Sequence, residues 1–135
     1  MDENEYFTFV GKPGLDIDTN NNLSGDVIVY EQSKLPISKI DKHYLNVPPK
    51  IDIEINANID TTDFTEQTYI YQKTDRLLSW GVEKVIWVLT ASKKVIAAEQ
   101  GKDWLLIDWS KNIEIIDGVK FNVSQYLEKL GVNLK

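Results

Sequence analysis

The strictest alternation in the chain runs through Lys50-Ile-Asp-Ile-Glu-Ile-Asn56. It predicts a strand with Ile51, Ile53 and Ile55 on one face and Asp52, Glu54 and Asn56 on the other. The β-branched run Gly25-Asp-Val-Ile-Val-Tyr-Glu31 predicts a second strand, and residues 5–10, aromatic and β-branched before a Gly11-Lys-Pro-Gly14 turn, predict a third. From Asp16 to Gly25 the composition shifts to Asp, Asn, Thr, Ser and Gly, which reads as a solvated loop. Its Asp16, Asp18, Asn20 spacing imitates the opening of a calcium loop. The imitation ends at Asn21, where such a loop needs glycine, and at Val27, where it needs a bidentate glutamate. Residues 32–49 carry three of the four prolines and read as an irregular connection.

The period then changes. Asp63 is a candidate N-cap with Glu66 at capping-box spacing, Gly81 is a candidate stop, and Ile70, Thr74, Leu77, Leu78 and Gly81 fall on one helical stripe. Lys73 points between the directions of Leu77 and Trp80, inside the apolar region, where a lysine is out of pattern. Beyond Gly81 the chain reads as strand: Lys84–Thr90 and Val95–Glu99 form a hairpin, and Trp104–Trp109 and Ile113–Ile116 continue an antiparallel meander. Asp117-Gly118 is a two-residue hairpin signal leading into Val119–Val123, and residues 123–130 close as a short helix before Gly131. Strand, strand, strand, helix, meander and terminal helix, without internal repeat, predict an α/β or α+β domain with a mixed sheet spanning residues 1–135.

Composition narrows the chemistry. The 135 residues include 15 Lys+Arg and 21 Asp+Glu, a formal charge of −6, so the chain as a whole is not drawn to polyanions. With no cysteine and a single histidine, His43, disulfide frameworks, thiolate zinc sites and thiol nucleophiles are excluded, and a Ser-His-Asp mechanism would hang on one residue. The acidic start and the lack of a long apolar run predict neither a membrane span nor a secretion signal, hence a cytoplasmic protein. Carboxylates, lysines and hydroxyls remain.

Among these, Asp26 opens one strand, Glu54 lies on the polar face of another, and Lys73 comes from the helix that follows. Converging carboxylates can hold Mg²⁺ or Mn²⁺, and a nearby ammonium can orient water or stabilise developing charge. Each residue also has a plainer reading. Asp52 and Glu54 would form the solvent face of an amphipathic strand, Asp26 would be a turn residue, and Lys73 would lay its stem on Leu77 and Trp80 with its amine in water. His43 reads as an exposed loop residue beside a small basic rim of Lys39, Lys42 and Lys50, Lys93-Lys94 as a hairpin tip, and the four tryptophans as core and interface.

The stretch Pro48-Pro-Lys-Ile-Asp-Ile-Glu-Ile-Asn-Ala57, then Lys73-Thr-Asp-Arg-Leu-Leu-Ser-Trp-Gly-Val82 and Lys84-Val-Ile-Trp-Val88, resembles the Uma family of restriction endonucleases in the PD-(D/E)xK nuclease-like superfamily. The resemblance spans about residues 25–130. It implies a restriction-endonuclease-like α/β fold, with a mixed sheet flanked by helices and a C-terminal meander, and metal-dependent endonuclease activity on DNA with Mg²⁺ or Mn²⁺. By the same resemblance Asp26 and Glu54 are the metal ligands, Asp52 is a further ligand, Lys73 is the catalytic lysine moved to the helix, and the protein is a homodimer. The sequence departs from that pattern at Lys50, where the family has aspartate, and at Asn56, where a conventional E-x-K nuclease has lysine. Its N-terminal region, residues 1–24, is shorter and reads as strand and loop. These departures favour the alternative of a degenerate nuclease-like fold acting as a binding or interaction module.

Overall fold

A computed structural model of the chain describes residues 6–10, 14–18, 21–24, 26–31, 44–45, 47–56, 64–116 and 119–125. In chain order the elements are β1 (Tyr6–Val10), β2 (Gly14–Asp18), β3 (Asn21–Ser24), β4 (Val27–Glu31), β5 (Tyr44–Leu45), β6 (Ile51–Asn56), α1 (Phe64–Trp80), β7 (Lys84–Leu89), β8 (Lys94–Glu99), β9 (Leu105–Asp108), β10 (Ile113–Ile116) and β11 (Val119–Phe121). Asp63, His43, Lys39, Lys42, the Asp117-Gly118 turn and residues 126–130 of the expected terminal helix lie outside the described residues.

Six strands form the central sheet in the order β1-β4-β6-β7-β8-β9. Pairing is antiparallel except between β6 and β7, which run parallel with Ile51 opposite Lys84 and Asn56 opposite Leu89. A parallel neighbour requires a crossover, and α1 supplies it. The sheet is therefore mixed, as the element order predicts. β6 lies inside it, between β4 and β7.

Period-two alternation on these strands gives the sheet two apolar faces. On the α1 side, Ile28, Tyr30, Val85, Trp87, Leu89 and Ala98 pack with Ile70 and Leu77 of the helix. On the other side, Val29, Ile51, Ile86 and Val95 pack with Trp109, Ile113 and Val123. The helical stripe read from the sequence is the buried one, with Ile70, Thr74 and Leu77 at 4%, 0% and 0% exposure.

Two expectations are corrected. The polar stretch after Gly14 is not a bare loop: β2 and β3 pair antiparallel with an irregularity between Asp16 and Asp18, and β2 also pairs with β5 in a separate three-stranded sheet. Backbone pairing needs no apolar side chains, so composition hid these strands. Nor does the meander run on past β9. β10 pairs with β11 in a two-stranded sheet of its own, because Trp109 and Ile113 turn under the main sheet to bury themselves beside Val95. The Lys84 Nζ donates to the Glu114 carbonyl at 2.9 Å and ties the hairpin to the start of β7.

The end of α1 fixes where β7 begins. Gly81, at φ +127°, donates its N–H to the carbonyls of Leu77 (3.2 Å) and Leu78 (3.1 Å), and the Val82 N–H also reaches Leu77 (3.1 Å). This left-handed stop gives the Leu77 and Leu78 carbonyls partners, and the Gln100 amide, just beyond β8, also donates to Leu78 and to the Val82 carbonyl past the helix end. A Cβ at Gly81 would stand 3.0 Å from Pro48 Cγ. Gly81→Ala should therefore lower stability by about 1–3 kcal/mol in urea unfolding, and an unchanged midpoint would refute this account of the turn.

Candidate active site

The polar face of β6 does not meet solvent. Asp52 is 0% and Glu54 3% exposed, because α1 crosses over that face while β4 and β7 flank it. The alternation did separate two faces, but Ile55, on the apolar one, is 52% exposed. The expectation of a solvated acidic face is thus overturned by the crossover helix.

Glu54 and Trp87 are register partners on β6 and β7 and stand side by side under α1. Lys73 comes down from the helix to Glu54: its Nζ ion-pairs with Glu54 Oε1, and the two side chains are 10% and 4% exposed. Snorkelling is therefore not what this lysine does. Its Nζ also lies 5.7 Å from the centroid of the Trp87 ring. The indole N–H donates to Thr74 Oγ1 at 2.8 Å, and Tyr69 packs edge-on against the same ring at 6.1 Å.

Asp26 joins from β4's leading end, which the antiparallel register sets beside Glu54. Its N–H donates to Glu54 Oε2 at 3.4 Å, and its Oδ2 accepts the Ile55 N–H at 2.7 Å. Asp26 and Glu54 are thus neighbours. Asp52 is the outlier in polar accounting. Among the described residues neither of its carboxylate oxygens has a hydrogen-bond partner.

The charges push on one another. Burial, then the charge of Glu54, raises the Asp52 carboxyl to about 8, with Lys73 pulling the other way and Asp26 adding to the rise. Burial also raises Glu54, against the charge and hydrogen bond of Lys73. Burial would lower Lys73, but the carboxylate of Glu54 outweighs it and holds the ammonium above the ordinary lysine value. Tyr30, whose hydroxyl donates to the Val47 carbonyl at 2.6 Å, is raised well above a normal phenol by burial and by Asp52.

All four residues singled out from the sequence therefore meet in one place: Asp26, Asp52 and Glu54 from two paired strands, Lys73 from the helix above. The donor set is oxygen-rich and includes a buried, unpartnered carboxylate, which fits a hard divalent cation. Among the described residues, no three acidic or histidine side chains are gathered as tightly as a metal centre. Lys50, expected in a basic rim, is instead tied to Glu31 at 3.0 Å and Glu83 at 3.5 Å. Sequence reasoning missed Trp87 and Thr74 as neighbours of Lys73. The signal for Thr74 was present, a polar residue in an apolar helical stripe, but the Glu54–Trp87 register is not written in either strand alone.

No family model matches the chain, and no curated protein matches it. Among solved structures it is similar to one described as a putative nuclease belonging to DUF820 from Anabaena variabilis. That match has a TM-score of 0.72 at 11% identity, over 96% of this chain and 72% of the other. At that identity the likeness establishes the fold: a restriction-endonuclease-like mixed α/β fold. No helix among the described residues is long and apolar enough to cross a membrane.

A buried acid raised to about 8 makes a signed prediction about the metal-free protein. Between the ordinary aspartate range and about pH 8 the folded state binds a proton that the unfolded state has released, so stability falls as pH rises through that window. Asp52→Asn removes the proton and its dependence. In chelator it should match wild type near pH 4 and become progressively the more stable of the two as pH rises toward 8 in urea unfolding. Parallel pH profiles for the two proteins would exclude a buried, unpartnered Asp52.

Proposed function

We propose that the chain is a metal-dependent endonuclease of the PD-(D/E)xK type, hydrolysing phosphodiester bonds in DNA, and a relative of the Uma family. The observation that carries this reading is the buried cluster of Asp52, Glu54 and Lys73, with the Asp52 carboxylate unpartnered, on a restriction-endonuclease-like fold. Asp26 and Glu54, with Asp52 as a further ligand, would hold Mg²⁺ or Mn²⁺. When bound, that ion supplies Lewis acidity to the phosphoryl oxygen and lowers the pKa of attacking water.

The remaining work falls to the chain. Lys73 keeps its proton beside Glu54 and presents fixed positive charge where a phosphate gains negative charge in the transition state. Asp26 accepts the Ile55 N–H and closes β4 against the end of β6, so the carboxylate-bearing strands cannot splay. The overlying helix and Trp87 exclude water from the inner side of Glu54, which strengthens each of these charge interactions. A net charge of −6 leaves the approach of DNA to the cation and Lys73, and a homodimer in the cytoplasm would supply two such sites for two strands.

A second reading has its own observation. Asp26 Oδ2 is committed to the Ile55 N–H, and no tight three-ligand cluster occurs among the described residues, as expected of a degenerate site serving in binding. Mn²⁺ titration by calorimetry on wild type and Glu54→Ala separates the two. The nuclease reading expects binding that the variant abolishes, followed by Mn²⁺-dependent cleavage of plasmid DNA that falls at least about 100-fold in Lys73→Ala. Absence of heat in both proteins would leave the binding module.

A further inference from the structure

Within the nuclease reading, on which its catalytic meaning rests, we propose that Trp87, locked by Thr74, is the positioning residue for the Lys73 ammonium. Three contacts converge on that indole. Its face lies 5.7 Å from Lys73 Nζ, its N–H is held at 2.8 Å by Thr74 Oγ1, and the edge contact from Tyr69 at 6.1 Å and 81° fixes the ring from another direction. Trp87 is 2% and Thr74 0% exposed, so neither side chain has water as an alternative partner.

The arrangement follows from the register. Parallel pairing sets Trp87 directly beside Glu54, while Thr74, the residue after Lys73, fixes the indole from the same turn of α1 that carries the ammonium. A lysine side chain has several freely rotating bonds, and its amine can trade one oxygen for another at little cost. The π face gives the ammonium a second, non-competing attraction, worth more when desolvated than at a surface. Glu54 pulls Nζ along one direction and Trp87 holds it along another; together they specify a point. A tryptophan present for packing alone would need a neighbour of the right shape, whereas this one has an oxygen at the single place its N–H can reach.

The two roles separate by substitution. Thr74→Val keeps the shape and loses the acceptor, and Thr74→Ser keeps the acceptor and loses a methyl group. In metal-free protein carrying ¹³Cε-labelled lysine, with the Lys73 signal assigned by its disappearance in Lys73→Arg, ring current from Trp87 should move the Lys73 ε-methylene protons upfield. The displacement should persist in Thr74→Ser and collapse in Thr74→Val. Thr74→Ala, which removes the same acceptor and leaves the Trp87 ring in place, stands in for Thr74→Val if that variant does not fold.

A displacement missing from wild type, one kept by Thr74→Val, or one lost by Thr74→Ser overturns the proposal. Because this reading needs neither metal nor substrate, it stands or falls apart from the nuclease assignment. In plasmid cleavage with Mn²⁺, Thr74→Val should lower kcat about tenfold with KM unchanged, and Thr74→Ser should recover it. A loss carried by KM alone would argue against positioning, while no cleavage by wild type would count against the nuclease reading only.

Discussion

A lysine ammonium and a glutamate carboxylate lie together beneath one helix, almost out of reach of water, and much of the architecture is arranged to make that tolerable. Removing two charges from water is expensive. Their mutual attraction offsets the loss only when geometry is good and remaining polar atoms are served. Here the Glu54 carboxylate is met by Lys73 on one oxygen and by the Asp26 N–H on the other, and the ammonium has the Trp87 face as a further neighbour. Removing the helix would strand Glu54, and moving β4 would leave its second oxygen bare. The cluster therefore constrains the fold as much as the fold positions the cluster.

That mutual dependence accounts for the one parallel pair of the central sheet. A hairpin from β6 would have laid the next strand alongside with no element crossing its polar face. The crossover through α1 puts a helix over Asp52 and Glu54, and the left-handed stop at Gly81 returns the chain to β7 in the register that sets Trp87 beside Glu54. The opposite face is filled by Val29, Ile51, Ile86, Val95 and the Trp109–Ile113 turn, and the charged residues buried among the described ones, Asp52 and Glu54, lie on the helix side. One side of the sheet thus supplies ordinary cohesion. The other carries a buried charged cluster, which cohesion alone does not require.

Glu54 has Lys73 as its ion-pair partner, whereas neither oxygen of Asp52 has a hydrogen-bond partner among the described residues. A carboxyl with no hydrogen-bond partner among the described residues, forced up to about 8, is a liability in a protein built only to fold. On the function proposed above, a cation would complete it. The likeness to the solved structure described as a putative nuclease belonging to DUF820, at 11% identity, is one of fold.

Local pattern was enough to write down most of the elements. Alternation at Lys50–Asn56, the β-branched run to Glu31 and the helical stripe ending at Gly81 each follow from how side chains project along a strand or a helix, so β4, β6, α1, β7 and β8 were legible. So was the anomaly of Lys73, since a charge inside an apolar stripe needs no structure to be noticed. Polar strands β2 and β3 were not legible, because backbone hydrogen bonds leave no mark on composition. Alternation names two faces but not which one a helix will cover, so the burial of Asp52 and Glu54, and the exposure of Ile55, had to wait for the crossover. The Glu54–Trp87 adjacency and the meeting of Asp26 with Glu54 depend on strand register, a property of two segments together. The sequence determined which residues were available for chemistry. Only the tertiary structure decided that they share one buried place, because convergence is a fact about distances between segments that local periodicity does not carry.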